Sequence, residues 1–448
     1  MILLTGSLCY LVLEAKQLNV LETDNEYDLM NHIIDDIDHM IVCADRWIEA
    51  RIDYFSPLGN WQDKKDRFLR RKAFAEAAIY MYVTEQLDGR PKNNQMRGFF
   101  IDFVNQKEFR DLVLRKANQL LLYGAAVNYV KTIGHLSQAT EAAVLKVLSR
   151  KPVWAVERVP NRILDLWNFI EVFGYVNKVA DVKSIINLSC LNHQLDVIDS
   201  TLHDVYAFTH VLLFYYNFGV FNIQIKNEKL TTDIESCLIG LVMRYCAENN
   251  FDVVLELLYV GALHKQLPRW LVEYVFVQLQ RQQQADGIVR GPDNPDKSSL
   301  TGKSDDYIIW AENYHTVLVS ASTFRVIRKN WVDIDLQVSD ERRLLDAGNF
   351  NLLEQCGHVL FALSRYELPL AICLLKELIG EGSKCKLVNE MVSYCKDYIE
   401  QQKDEEGNYG YWSDERELFC LNGGTKEQFK QELADPITDM CRELATEV

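Results

Sequence analysis

The chain has 448 residues and a mass of 51.9 kDa, enough for one large helical domain or two to three ordinary ones. Hydrophobic residues make up 48% and charged residues 25%, the balance of a globular core, and only 9 prolines and 21 glycines favour long helices over short strands. The formal charge of −16 argues against nucleic acid as a partner, because phosphate binding needs a clustered cationic surface.

The first 13 residues (MILLTGSLCYLVL) are apolar, but no Lys or Arg precedes them, no A-x-A-like cleavage site follows, and the run is too short to span a bilayer. It reads as a buried first helix, which predicts a cytoplasmic protein that does not enter the membrane. In 29–48 the residues Ile33, Ile34, Ile37, Ile41, Ala44 and Ile48 form one helical stripe, with Asp35, Asp36, Asp38 and Asp45 as its solvated flank. Helical periodicity continues over 65–87, whose basic run KKDRFLRRK (64–72) reads as another solvated face. It recurs over 108–132, 140–148, 160–176, 182–188, 202–218, 231–248, 251–260, 269–284 and 307–329. Further helices are expected over 340–347, 352–364, 368–379, 387–402 and 425–447, while 220–225 and 332–338 are weak strand candidates. The segment 285–306 (ADGIVRGPDNPDKSSLTGKSDD) is the one long stretch rich in breakers and reads as a loop inserted within a single domain, with a domain linker as the alternative. Eleven cysteines are scattered with no CxxC pair, as buried thiols are in a reducing compartment.

Three helices end alike. Each runs through aromatic or apolar residues to glutamine, an acid and a glycine: Gln86, Asp88 and Gly89; Gln284, Asp286, Gly287 and Gly291; Gln402, Glu406, Gly407 and Gly410 before Tyr411 and Trp412. Glycine accepts the left-handed conformation that ends a helix, and the aromatic pair can cover a neighbouring helix end. These endings, Gly410-Tyr411-Trp412 above all, resemble those of the terpenoid cyclase and prenyltransferase-like α/α toroids, a superfamily that includes lanthionine-forming cyclases and thioester domains. The likeness covers the C-terminal half well and residues 1–150 more loosely. THVLLFYYNFG (209–219) and ENYHT (312–316) also resemble a bacterial toroid family of unassigned function. The resemblance implies an all-α, α/α toroid of inner and outer helices over 1–448, with the working site at one end of the inner barrel. It further implies a bacterial enzyme of specialised biosynthesis, a lyase, cyclase or transferase.

None of that superfamily's diagnostic motifs is present. Asp35-Asp36-Ile37-Asp38 has the wrong order for a DxDD acid, and His39 stands where DDxxD needs its last aspartate. The Cys-His-Gly, Trp-Cys-x-Gly and Gly-Cys-Gly-Glu-Gln strings are missing; Glu354-Gln355-Cys356-Gly357-His358 only shuffles such elements. His203-Asp204 resembles the doublet of helical metal phosphohydrolases, but Val205-Tyr206-Ala207-Phe208 does not fit what should follow. There is no phosphate loop, GxSxG elbow or HExxH helix.

What remains is histidine and carboxylate at helical spacing. His203 and His210 lie two turns apart, Glu312 and His315 three residues apart, Glu354 and His358 four apart, with the phenols of Tyr206 and Tyr314 nearby. One reading makes His210 and His315 general acid and base, positioned by Asp204 and Glu312 with Tyr314 beside them. A second has His203, His210, His315 and Glu312 bind a divalent metal. A third leaves them as hydrogen-bonded core groups. The expected substrate is a small molecule or modified peptide held in the toroid cavity; a non-catalytic scaffold is the alternative. Cofactor, metal and oligomeric state are not specified by the residues.

Overall fold

The computed structural model describes residues 26–446 apart from 58–62, 90–93, 176–178, 194, 221–227, 266, 283–285, 293–299, 336–349 and 382–384; of 404–434 it describes only 405, 407, 409, 423, 425, 428 and 431. Among the described residues there are 18 α-helices and no strand. The all-α expectation therefore holds. Residues 332–335 are helical, not strand; the rest of that candidate, 221–225, the helix at 340–347, the first 13 residues and Gly410 to Trp412 lie outside the described residues.

The first half comprises α1 (Glu26–Glu49), α2 (Lys64–Asp88), α3 (Asn94–Asn105), α4 (Lys107–Arg115), α5 (Gly124–Thr132), α6 (Gln138–Leu148), α7 (Lys151–Trp154), α8 (Pro160–Val172) and α9 (Val182–Asn187). The α1 stripe is apolar and inward as read, with Ile37, Ile41, Ala44 and Ile48 buried. Its flank is not simply solvated: Asp38 pairs with Arg328 at 2.6 Å and Asp45 with Arg325 at 2.6 Å. The helix expected over 108–132 is broken, because a 3-10 segment, Ala117–Tyr123, separates α4 from α5 and turns Leu120 and Tyr123 into the core. Sequence reading missed α3, whose flanking Gly89 and internal Gly98 resemble breakers.

The second half comprises α10 (Leu202–Tyr215), α11 (Glu228–Ala247), α12 (Phe251–His264), α13 (Arg269–Gln282), α14 (Asp305–Asp335), α15 (Phe350–Ser364), α16 (Leu368–Glu381), α17 (Lys386–Gln401) and α18 (Asp435–Thr446). Helix α12 is buried on every side, the mark of a central helix. The 31 residues of α14 pack on α1, α2 and α12. Neighbours follow in order: α2 on α5, α5 on α8, α8 on α10, α10 on α12, α12 on α14, and α14 on α2. Outside them α11 packs on α12 and α15, α15 on α16 and α17, and α16 on α18.

The three similar helix endings carry the expected backbone: Gly89, Gly287 and Gly407 have φ of 65°, 70° and 80°. Gly89 closes α2, its N–H donating to the Glu85 carbonyl at 3.1 Å. Described parts of 285–306 are tied down: Ile288 and Val289 are buried, and the Gly291 N–H donates to Asn313 Oδ1 at 3.0 Å. Asp305 and Asp306 already belong to α14, and Asp306 pairs with Arg51 at 2.7 Å. No described helix is long and apolar enough to cross a membrane.

Candidate functional site

A cavity of about 340 Å³ opens between α2, α8, α10, α12 and α14. Most of its wall is apolar, from Ile79, Leu213, Phe214, Tyr259, Leu318 and others, and its polar lining includes Lys72, Glu76, Arg162, His210, Glu256 and His315. There His315 of α14 sits between two helices of carboxylates. Its Nδ1 lies 3.1 Å from Glu76 Oε2 on α2. Its Nε2 faces α12, 3.4 Å from Asp252 Oδ2 and 3.5 Å from Glu256 Oε1.

Asp252 and Glu256 are spaced by four residues and so share a face of α12. Both are nearly inaccessible, at 3% and 2% exposure, and buried acids of this kind persist only with partners. Thr316 donates to Asp252 Oδ1 at 2.6 Å and the Tyr206 hydroxyl to Asp252 Oδ2 at 2.9 Å. Thr209 donates to Glu256 Oε2 at 2.6 Å. Tyr314 hydrogen-bonds Glu76, and Lys72 Nζ stands 3.6 Å from the same carboxylate.

Burial alone would raise the pKa of Asp252 and Glu76, but the His315 imidazolium and the surrounding hydrogen bonds outweigh it. Asp252 is held well below the usual carboxylate range and Glu76 is also lowered. Burial likewise pushes His315 towards the neutral form, yet Asp252 and Glu76 overcome it and raise its pKa well above the ordinary value. The 23% exposure of its side chain is surface open to the cavity.

His210, on α10, presents Nε2 3.9 Å from Glu256 Oε1, with its side chain 35% exposed, and stacks on Tyr206 at 5.8 Å between ring centres. His210 and His315 thus both approach Glu256 Oε1. His203, two turns earlier in α10, lines an adjoining recess with His210, His315 and Tyr206.

Of the residues expected from the sequence, His210 and His315 meet in the cavity, with Tyr314 behind them. Tyr314 is buried and stacked on Trp310 at 5.0 Å, where its hydroxyl supports Glu76. Asp204 does not position His210. It completes a capping box at the start of α10, accepting from the Thr201 N–H at 2.9 Å and hydroxyl at 2.6 Å. Glu312 lies one turn before His315, where its backbone carbonyl would be 2.5 Å from a Cβ at Gly291; the carboxylates at His315 come from α2 and α12 instead. Glu354 pairs with Arg281 at 2.8 Å, and His358 is exposed on α15, apart from the cavity.

Sequence reading passed over Glu76, Asp252 and Glu256. The signal for the last two was present: FDVVLELLYVGALH is apolar almost throughout, yet holds two acids one turn apart. Glu76 in AFAEAAIY resembles any solvent-facing helical acid, and nothing local distinguishes it.

The chain belongs to the family described as Domain of unknown function (DUF6895), matched over residues 43–323, more than half its length. That stretch runs from within α1 to within α14 and contains every residue of the cavity cluster. No curated protein and no solved structure matches the chain.

Proposed function

We propose that the chain is an enzyme acting on a small molecule within a toroid of helices, with His210 as the acid and base that meets the substrate. One observation carries the reading: a mostly apolar cavity with an imidazole–carboxylate cluster of His210, His315, Glu76 and Glu256 in its wall, the usual make-up of a small-molecule site. The unbroken order of neighbours from α2 through α5, α8, α10, α12 and α14 back to α2 supports a closed inner ring around that cavity.

The two histidines take different roles. His315 is held at Nδ1 by Glu76 and turns Nε2 towards Asp252 and Glu256 in the cavity wall. His210 is open to the cavity and has Glu256 close enough to orient the ring, as general acid–base work requires. The apolar wall from Leu213, Phe214 and Leu318 would hold a carbon skeleton and keep water away from it. Nine cysteines among the described residues are free thiols, which supports a reducing, cytoplasmic setting.

The test is turnover in a small-molecule extract, followed by mass spectrometry with the full-length protein. A compound consumed by the wild type should be consumed at least about 100-fold more slowly by His210→Ala, a typical acid–base contribution. Far-UV circular dichroism should be unchanged, because His210 is partly exposed and makes no buried hydrogen bond of its own fold. A compound retained by the protein with its mass, chromatographic retention and fragmentation all unaltered would make it a binding protein instead.

A further inference from the structure

We infer that the α12–α14 side of the cavity is a divalent-metal site, with His315 Nε2, Asp252 Oδ2 and Glu256 Oε1 as its ligands. The inference uses the same cavity as the proposed function, but rests on geometry that acid–base chemistry does not need.

The distances are the first support. Nε2 stands 3.4 and 3.5 Å from the two carboxylate oxygens, and all three atoms lie within 4.8 Å of one another. A charge-assisted N–H···O bond closes to about 2.7–2.9 Å, so neither contact is a good direct ion pair. Ligand atoms about 2.0–2.2 Å from a tetrahedral metal are separated from each other by roughly 3.3–3.6 Å. Two edges of such a site are already formed.

The outer contacts are the second support, and they are independent of the first. Metal-bound histidines characteristically donate their other ring N–H to a carboxylate, which fixes the tautomer that offers the remaining nitrogen. His315 Nδ1 has that partner in Glu76 at 3.1 Å. The second oxygen of each carboxylate is likewise occupied, Asp252 Oδ1 by Thr316 and Glu256 Oε2 by Thr209, both at 2.6 Å. Each candidate ligand is therefore oriented through an atom that would not touch the metal, and Asp252 Oδ2 also accepts from the Tyr206 hydroxyl at 2.9 Å. The charge count agrees: with the metal displacing the Nε2 proton and the imidazole neutral, three carboxylates and one lysine leave a net charge of about −2, which a divalent cation would neutralise.

One imidazole and two carboxylates suit Zn²⁺, Mn²⁺ or Fe²⁺ better than the softer ions that favour thiolate. His210, 3.9 Å from Glu256 Oε1, stands beside the cavity-facing positions of such a metal, where water or a substrate oxygen would bind.

Full-length protein stripped with a chelator and dialysed should be titrated calorimetrically with Zn²⁺ and with Mn²⁺, and its metal content measured by mass spectrometry. The expected result is one ion per chain for at least one of the two. Affinity should fall at least about 100-fold in Asp252→Asn and about 10-fold in Thr209→Val, which loses only an outer contact. No uptake by the wild type, or equal uptake by folded Asp252→Asn, overturns the site. If Asp252→Asn fails to fold, the Co²⁺ spectrum of the wild type decides: ligation by nitrogen and oxygen is expected, and a thiolate charge-transfer band contradicts it. Uptake is read without substrate, so the two proposals fail separately. Metal without turnover removes the enzyme, whereas turnover by a protein that takes up no metal removes the site.

Discussion

Arg325 is fully buried, and its guanidinium holds Asp45 of α1 through both oxygens, at 2.6 and 2.8 Å, and Asp88 at the end of α2 at 3.0 Å. Three helices are thereby tied at one point, beneath the cavity rather than in it. Arg325→Met keeps much of the side-chain volume but takes the guanidinium from Asp45 and leaves Asp88 only its pairing with Arg328. It should destabilise the protein by about 3–5 kcal/mol, the usual cost of breaking one side of a buried pair, as read by urea denaturation. His264, at the end of α12, is the opposite kind of buried group. Its ring meets the Tyr216 hydroxyl, and burial pushes its pKa down to about 4. The folded state therefore resists protonation while the unfolded chain takes up a proton near the ordinary 6.5. Its contribution is complete above that pH and is lost as pH falls towards 4, on the order of 2–3 kcal/mol in total. Stability measured across this window should fall less steeply in His264→Gln than in the wild type.

At the scale of elements, helix crossings explain residues whose sequence context is misleading. Gly357 lies within α15, where alanine would ordinarily favour the helix by about 1 kcal/mol. Here a Cβ would come within 2.4 Å of the Met243 carbonyl oxygen on α11, so the two helices are close because this side chain is missing. Gly357→Ala should therefore destabilise by roughly 1–3 kcal/mol, with the thermal midpoint as the readout, and an increase in midpoint would refute the crossing. Cys356 beside it is buried, with a thiol pushed up to about 12 by desolvation, so it is a packing group and no metal ligand. The apolar stripes of α1, α12 and α15 were legible because burial imposes periodicity on a single helix. Asp204 was misread because its position beside His203 drew attention from Thr201, three residues earlier, which makes the pair a helix start. The partners of His315 were harder, since Glu76 and His315 are 239 residues apart and only the packing of α2 on α14 joins them.

Across the whole molecule, the family segment and the outer helices separate cleanly. Residues 43–323 carry the cavity and its charged groups, while α15 to α18 form a further layer against α11. That division explains why histidine and acid at helical spacing identified His210 and His315 but also drew in His358, whose helix lies in the outer layer. The central claim is that His315 is enclosed by carboxylates from α2 on one side and α12 on the other. Long-range proton–nitrogen NMR of histidine-labelled, chelator-treated protein tests it directly, with the resonance assigned by its loss in His315→Gln. Both ring nitrogens of His315 should remain protonated at neutral pH, because Asp252 and Glu76 raise its pKa well above the ordinary value. A His315 ring that loses its proton in the normal range near 6.5 would contradict the enclosure.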